Sequence, residues 1–188
     1  MAAGNGFITY RPDARYGDTT QTCGASDRAI AQKFTAPGSG TLDIDEIGLY
    51  AAYGTKSHNA KMAIYTDDSG NGCPEAIVSN SETSAFAINQ NTQTLFTNSY
   101  ATKPQVTAGV DYWLAICADS GTNETIYDNI ATGGTSVMYV QNYPVFPSAS
   151  EWHSHTDLTK DFGFYAKYSV PAASTIPVFA YNYNNMRT

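Results

Sequence analysis

Charge is scarce in this sequence. Asp, Glu, Lys and Arg make up 14% of the 188 residues, against about 25% in an average soluble domain, so Asn, Thr, Ser, Gln and Tyr must cover the surface. Lys and Arg number 10 against 17 Asp and Glu, a net charge of -7, and no basic cluster gathers the cations. That argues against sequence-independent nucleic-acid binding, in which cationic side chains displace counterions from phosphates. No apolar run approaches the roughly 18 residues of a membrane span. The opening Met1-Ala2-Ala3-Gly4-Asn5-Gly6-Phe7 lacks the basic and apolar regions of an export signal, and the expectation is a soluble chain without one. The three cysteines, Cys23, Cys73 and Cys117, contain no C-x-x-C pair, so they allow at most one internal disulfide and give no zinc signature. G-x-S-x-G, H-E-x-x-H, the P-loop and G-x-G-x-x-G after a strand are all missing, which lowers the expectation of an enzyme. Paired carboxylates for glycoside hydrolysis stay open, since such partners meet only in the fold.

Aromatic residues and two-residue periodicity are abundant. There are 14 Tyr and 8 Phe, side chains that fit a pleated, half-buried surface. Residues 28–35 alternate Ile30, Gln32 and Phe34 against Ala29, Ala31 and Lys33, then break at Pro37-Gly38-Ser39-Gly40. Leu42 and Ile44 share one parity while Ile47, Leu49 and Ala51 take the other, which predicts a bulge near Asp45-Glu46. Met62 and Ile64 mark a further strand in 60–66. Shorter strands are expected at 76–79, 84–88, 92–97, 125–128, 136–141 and 162–169. Residues 110–117 are apolar on both faces, so this strand is placed centrally, with Trp113 packed between sheets. No helical stripe competes. The pattern predicts an all-β, jelly-roll-like antiparallel sandwich over residues 28–170, flanked by arms at 1–27 and 171–188.

Four stretches carry a resemblance: residues 31–37 (AQKFTAP), 47–50 (IGLY), 63–70 (AIYTDDSG) with Pro74 after it, and 108–115 (AGVDYWLA). In this order they resemble jelly-roll domains of phage virion proteins and of bacterial secreted and surface proteins, some of them glycan-binding modules. The resemblance covers about residues 28–169 and implies the fold and a non-catalytic role.

Several constellations could carry chemistry. Asp67-x-Ser69-x-Asn71-Gly72 imitates the first half of a calcium loop, but Val78 stands where the bidentate Glu belongs, and turn residues give the same letters. No cofactor is expected, calcium being the one candidate this loop offers. Glu151, His153, His155 and Asp157 have one parity, so an extended segment would aim two carboxylates and two imidazoles to one side as metal ligands. The loop 142–161 is too long for a plain connection and holds Tyr143, Phe146 and Trp152, which either bind a ligand or fold onto the body. In the C-terminal arm, Ile176 and Val178 lie on one side and Phe179 and Tyr181 on the other, apolar faces that need a surface to cover them.

These features favour a non-catalytic structural or decoration protein of a virion, binding other copies of itself or other virion proteins through its arms. A carbohydrate-binding module of a secreted or surface protein is the alternative, with a hydrolase on the same scaffold third. Neither nucleic acid nor membrane is an expected partner.

Overall fold

The computed structural model describes residues 6–8, 19–22, 28–53, 57–90, 92, 94–119, 124–129, 135–158 and 160–170. Strands form where apolar and polar side chains alternate. In chain order they are β1 (Gly6–Ile8), β2 (Thr19–Thr22), β3 (Arg28–Thr35), β4 (Thr41–Tyr53), β5 (His58–Asp68), β6 (Cys73–Ile77), β7 (Phe86–Ile88), β8 (Thr94–Ser99), β9 (Gln105–Thr107), β10 (Asp111–Ala118), β11 (Glu124–Asn129) and β12 (Ser136–Val140). A single helical turn, α1 (Ala149–Trp152), precedes β13 (Thr156–Leu158), β14 (Asp161–Phe162) and β15 (Phe164–Ser169).

Two antiparallel sheets result. The eight-stranded sheet runs β1-β15-β4-β11-β14, with β2 on β11 and β8 and β9 on β4. The seven-stranded sheet runs β13-β12-β3-β10-β5-β6, with β7 on β5. From β3 the chain passes to the other sheet for β4 and back for β5, and it crosses again at β10, β11 and β12, as in a jelly roll. Strand β10 is central as expected: Leu114 pairs with Gln32 of β3 and Ile64 of β5.

The bulge in β4 falls at Asp45. Ile44 opposes Tyr168 and Glu46 opposes Lys167, which leaves Asp45 as the extra residue. It shifts the parity by one, so Leu42, Ile44, Ile47, Leu49 and Ala51 are all buried. Gly48 sits where a Cβ would lie 2.7 Å from the Phe96 carbonyl oxygen, so the close approach of β8 to β4 requires glycine there.

The sandwich core between the sheets includes Ile30, Leu42, Ile44, Ile47, Leu49, Met62, Ile64, Leu114, Ile116, Phe162 and Phe164. Gln32 is a buried polar member of the inward face of β3, and its Oε1 accepts a hydrogen bond from the Phe162 backbone N–H, tying one sheet to the other. Trp113 is not between the sheets. Alternation along β10 turns Tyr112, Leu114 and Ile116 inward and Trp113, Ala115 and Cys117 to the outer face.

Both N-terminal strands belong to the body's own sheet, because β1 pairs with β15 and β2 with β11. Those stretches of the expected arm satisfy backbone groups that β15 and β11 would otherwise leave open. Residues 171–188, with Ile176, Val178, Phe179 and Tyr181, lie outside the described residues, as does Cys23.

Candidate functional site

The outer face of the seven-stranded sheet is paved with small side chains, Ala29, Ala31, Ala63, Ala115 and Cys117, among which Tyr65 and Trp113 stand up. Residues 141–155 fold over this shelf as a lid. Trp152, a candidate binding residue that could equally fold onto the body, is fully buried there. Its ring meets Tyr65 edge-on with centroids 5.9 Å apart, and Phe146 packs on the other contact of Tyr65 at 6.1 Å. The Tyr65 hydroxyl donates to the Pro147 carbonyl at 2.9 Å, and burial pushes its pKa upward. Trp152 and Phe146 are therefore core residues: the outer face of an apolar strand needs cover, and the lid's rings supply it. Of the three expected ligand-binding aromatics only Tyr143 stays half-exposed.

The four expected metal ligands do not converge, because residues 149–152 form a helical turn and strand parity no longer applies. The Glu151 carboxylate turns back on the start of α1, accepting from Ser148 N at 2.7 Å and Ser148 Oγ at 2.8 Å. These bonds, the backbone one foremost, hold its pKa below the ordinary carboxylate range. His155 sits between the Trp152 carbonyl at 2.7 Å and Asp157 at 3.0 Å. His153 points elsewhere: its Nε2 lies 3.0 Å from Asp68 Oδ2 in the β5–β6 turn.

That turn is the calcium-like stretch, and its carboxylates serve other ends. Asp67 accepts from Trp113 Nε1 at 2.7 Å and pairs with Lys33 at 2.8 Å, so its oxygens face the sheet rather than the loop. Asp68 Oδ1 accepts from the backbone N–H groups of Gly70 at 3.0 Å and Asn71 at 3.1 Å, while Asn71 Nδ2 donates to Asp68 Oδ2 at 2.8 Å. The Asn71 side chain leads the bonds that lower the Asp68 pKa. Gly72 closes the turn at φ 65°, a left-handed conformation that glycine adopts without strain. Donor atoms of Asp68, Cys73 and His153 all lie within 4.8 Å of one another.

The lid also forms one wall of a surface groove of about 550 Å³. Tyr143 and Pro144 stand on that side, facing Lys61, Glu82, Thr83, Ser84 and Ala85. Lys61 and Glu82 form an ion pair. The wall opposite Tyr143 is fixed by buried hydroxyls: Thr83 Oγ1 accepts from Met62 N at 2.9 Å, and Ser81 Oγ accepts from Ile64 N at 3.0 Å and donates to Ile64 O at 2.9 Å. Tyr100 Oη donates to the Ser81 carbonyl at 2.7 Å. Past Glu82 and Ser84 the surface continues into a second hollow of about 330 Å³, bounded by Asn80, Asn98, Ser99, Tyr100 and Thr102. Burial first, then the Asp119 carboxylate, raises the Tyr143 pKa, and its hydroxyl, protonated at neutral pH like any ordinary phenol, can donate. Lys61, Glu82, Thr83 and Ser84 gave no signal in the sequence, where they read as ordinary strand and turn residues.

No family model matches the chain, and no curated protein matches it. Its fold is similar to two solved structures of Cwp84. One contains the cysteine protease and lectin-like domains of this surface layer associated protein of Clostridium difficile, with a TM-score of 0.54, 8% identity, and coverage of 77% of this chain and 32% of that one. The other is the clostridial cysteine protease after propeptide cleavage, again with a TM-score of 0.54 and 8% identity, covering 88% of this chain and 40% of that one. The chain thus spans about a third to two-fifths of those proteins. At this identity what is shared is the fold.

Proposed function

We propose that this chain is a non-catalytic carbohydrate-binding module of a secreted or cell-surface protein, and that the sugar lies in the groove between Tyr143-Pro144 and residues 82–85. The observation that carries the reading is the groove's composition. A half-exposed tyrosine ring and a proline offer flat apolar surface to the C–H face of a pyranose, and Ser84, Glu82 and Lys61 opposite offer donors and acceptors to its hydroxyls. A surface rich in Asn, Thr and Ser suits a neutral polyhydroxylated ligand. The polar hollow beyond Glu82 gives room for further sugar units. Similarity in fold to a structure that includes lectin-like domains of a surface layer associated protein supports this reading over a virion role. The apolar arm on which the virion role rested lies outside the described residues.

The test is a screen of the full chain against immobilised bacterial surface polysaccharides and their oligosaccharides, followed by calorimetry on each hit. Tyr143→Ala should weaken binding by about tenfold, the equivalent of losing one stacked ring, and Glu82→Gln should weaken it less. A glycan bound equally well by both variants would place the site elsewhere. Failure to bind any glycan would sink the reading.

A further inference from the structure

We propose that Asp68, Cys73 and His153 form a site for a thiophilic divalent metal ion of the zinc class, which clamps the lid to the β5–β6 turn. The three side chains bring one carboxylate, one thiol and one imidazole, with donor atoms all within 4.8 Å of one another. Carboxylate, thiolate and imidazole are the ligand types of zinc, whereas calcium and magnesium take oxygen and have no use for sulfur. With metal–ligand bonds of about 2.0–2.3 Å, donors around a tetrahedral ion stand roughly 3.3–3.8 Å apart. Asp68 Oδ2 and His153 Nε2 already stand 3.0 Å apart, inside that spacing, so the ion must replace the hydrogen bond between them, and the 44% exposed His153 side chain can turn to admit it.

The placement of the donors is built into the fold. Asp68 ends β5 and Cys73 begins β6, so one tight turn, closed by Gly72 at positive φ, holds both. His153 directly follows α1, where its N–H donates to the Ala149 carbonyl at 3.1 Å. The local charge also favours a cation. Asp68 supplies the negative charge facing the site, and the ammonium of Lys33 on β3 is engaged by Asp67 and Asp111. Coordination forms a sulfur–metal bond and releases the Cys73 thiol proton to solvent. A cysteine–histidine–carboxylate trio also occurs in thiol hydrolases, but there the sulfur must meet a substrate carbonyl, and Cys73 is 0% exposed.

The site shares no residue with the glycan groove, so the inference stands independently of that reading. The experiment uses the full chain, reduced and stripped with chelator, titrated with Co²⁺ alone and then with Zn²⁺. Expected are saturation at one Co²⁺ per chain, a thiolate-to-cobalt charge-transfer band in the near ultraviolet, displacement by Zn²⁺, and a melting midpoint several degrees higher with Zn²⁺. Cys73→Ser should abolish the band, and His153→Ala should lower Co²⁺ affinity by at least about tenfold. His153 is exposed, so His153→Ala keeps the test valid even where loss of the buried Cys73 prevents folding. Absence of the charge-transfer band in the unaltered chain, or undiminished affinity in His153→Ala, would overturn the proposal.

Discussion

On its inner face the seven-stranded sheet carries Ile30, Met62, Ile64, Leu114 and Ile116, and on its outer face the same strands carry Ala29, Ala31, Ala63, Ala115 and Cys117. The inner side chains are large because a second sheet stands opposite, and interdigitating aliphatics fill the space between sheets about 10 Å apart. The outer ones are small because what covers them is a loop lying close, whose bulk arrives as the rings of Phe146 and Trp152. The two faces are equally dry, yet one is closed by regular secondary structure and the other by a fifteen-residue lid, residues 141–155. A lid has fewer backbone hydrogen bonds to hold it, so the outer face should open first.

Five substitutions, the last of them followed across pH, test this contrast. Trp152→Ala should have the largest effect, about 3–5 kcal/mol, as the deletion of a fully buried ring. Amide exchange in that variant should rise across residues 142–155 while β4 and β15 stay protected. Equal acceleration everywhere would show that the lid and the sandwich unfold as one unit. Leu114→Ala follows at about 2–5 kcal/mol, and here exchange should rise in both sheets, since Leu114 touches the core they share. Ala115→Leu on the same strand should cost about 1–3 kcal/mol by lifting the rings off their shelf. Chemical denaturation would measure both, and a neutral Ala115→Leu would mean that the lid adapts to a taller shelf.

Tyr143→Ala should cost about 1 kcal/mol, because the ring packs only in part against the outer-face cluster, while carrying the loss of glycan affinity predicted above. A large drop in melting temperature would mean that Tyr143 is another roof ring rather than a binding residue. The smallest effect expected is with pH, at Asp111 on the rim of the outer face. Its carboxylate accepts from the Thr35 hydroxyl at 2.6 Å and pairs with Lys33 at 3.2 Å, and Thr35 is first among the groups that lower its pKa. With the folded value depressed, its contribution is complete above the ordinary carboxylate range and is lost as pH falls through the lower folded value. Asp111→Asn should therefore narrow the difference in melting temperature between neutral and acid pH. An unchanged difference would mean that the rim contributes nothing.

Much of the architecture was legible in residue order alone, since strand periodicity is a local property of the chain. Residues 110–117 read as a central strand and β10 is Asp111–Ala118. The switch of parity between Ile44 and Ile47 foretold the bulge at Asp45. A strand apolar on both faces, however, says only that both are covered, and the nature of each cover depends on segments far away in sequence. The same pattern therefore places Trp113 between the sheets, whereas it belongs to the outer face. Trp152 reads as a loop aromatic until a shelf of alanines from three strands is seen beneath it.

What the sequence determined by itself was the all-β class, the central strand and the bulge, because each is encoded by side chains a few residues apart. The tertiary structure alone decided the sites. Parity placed His153 with Glu151, His155 and Asp157, but one helical turn redirected it to Asp68 and Cys73, some eighty residues earlier. Tyr143 lines one groove with Lys61 and Glu82 only because the lid folds over the outer face of the sheet. Contacts of that span are set by which sheet edge a loop happens to cross, and no local period in the chain records that choice.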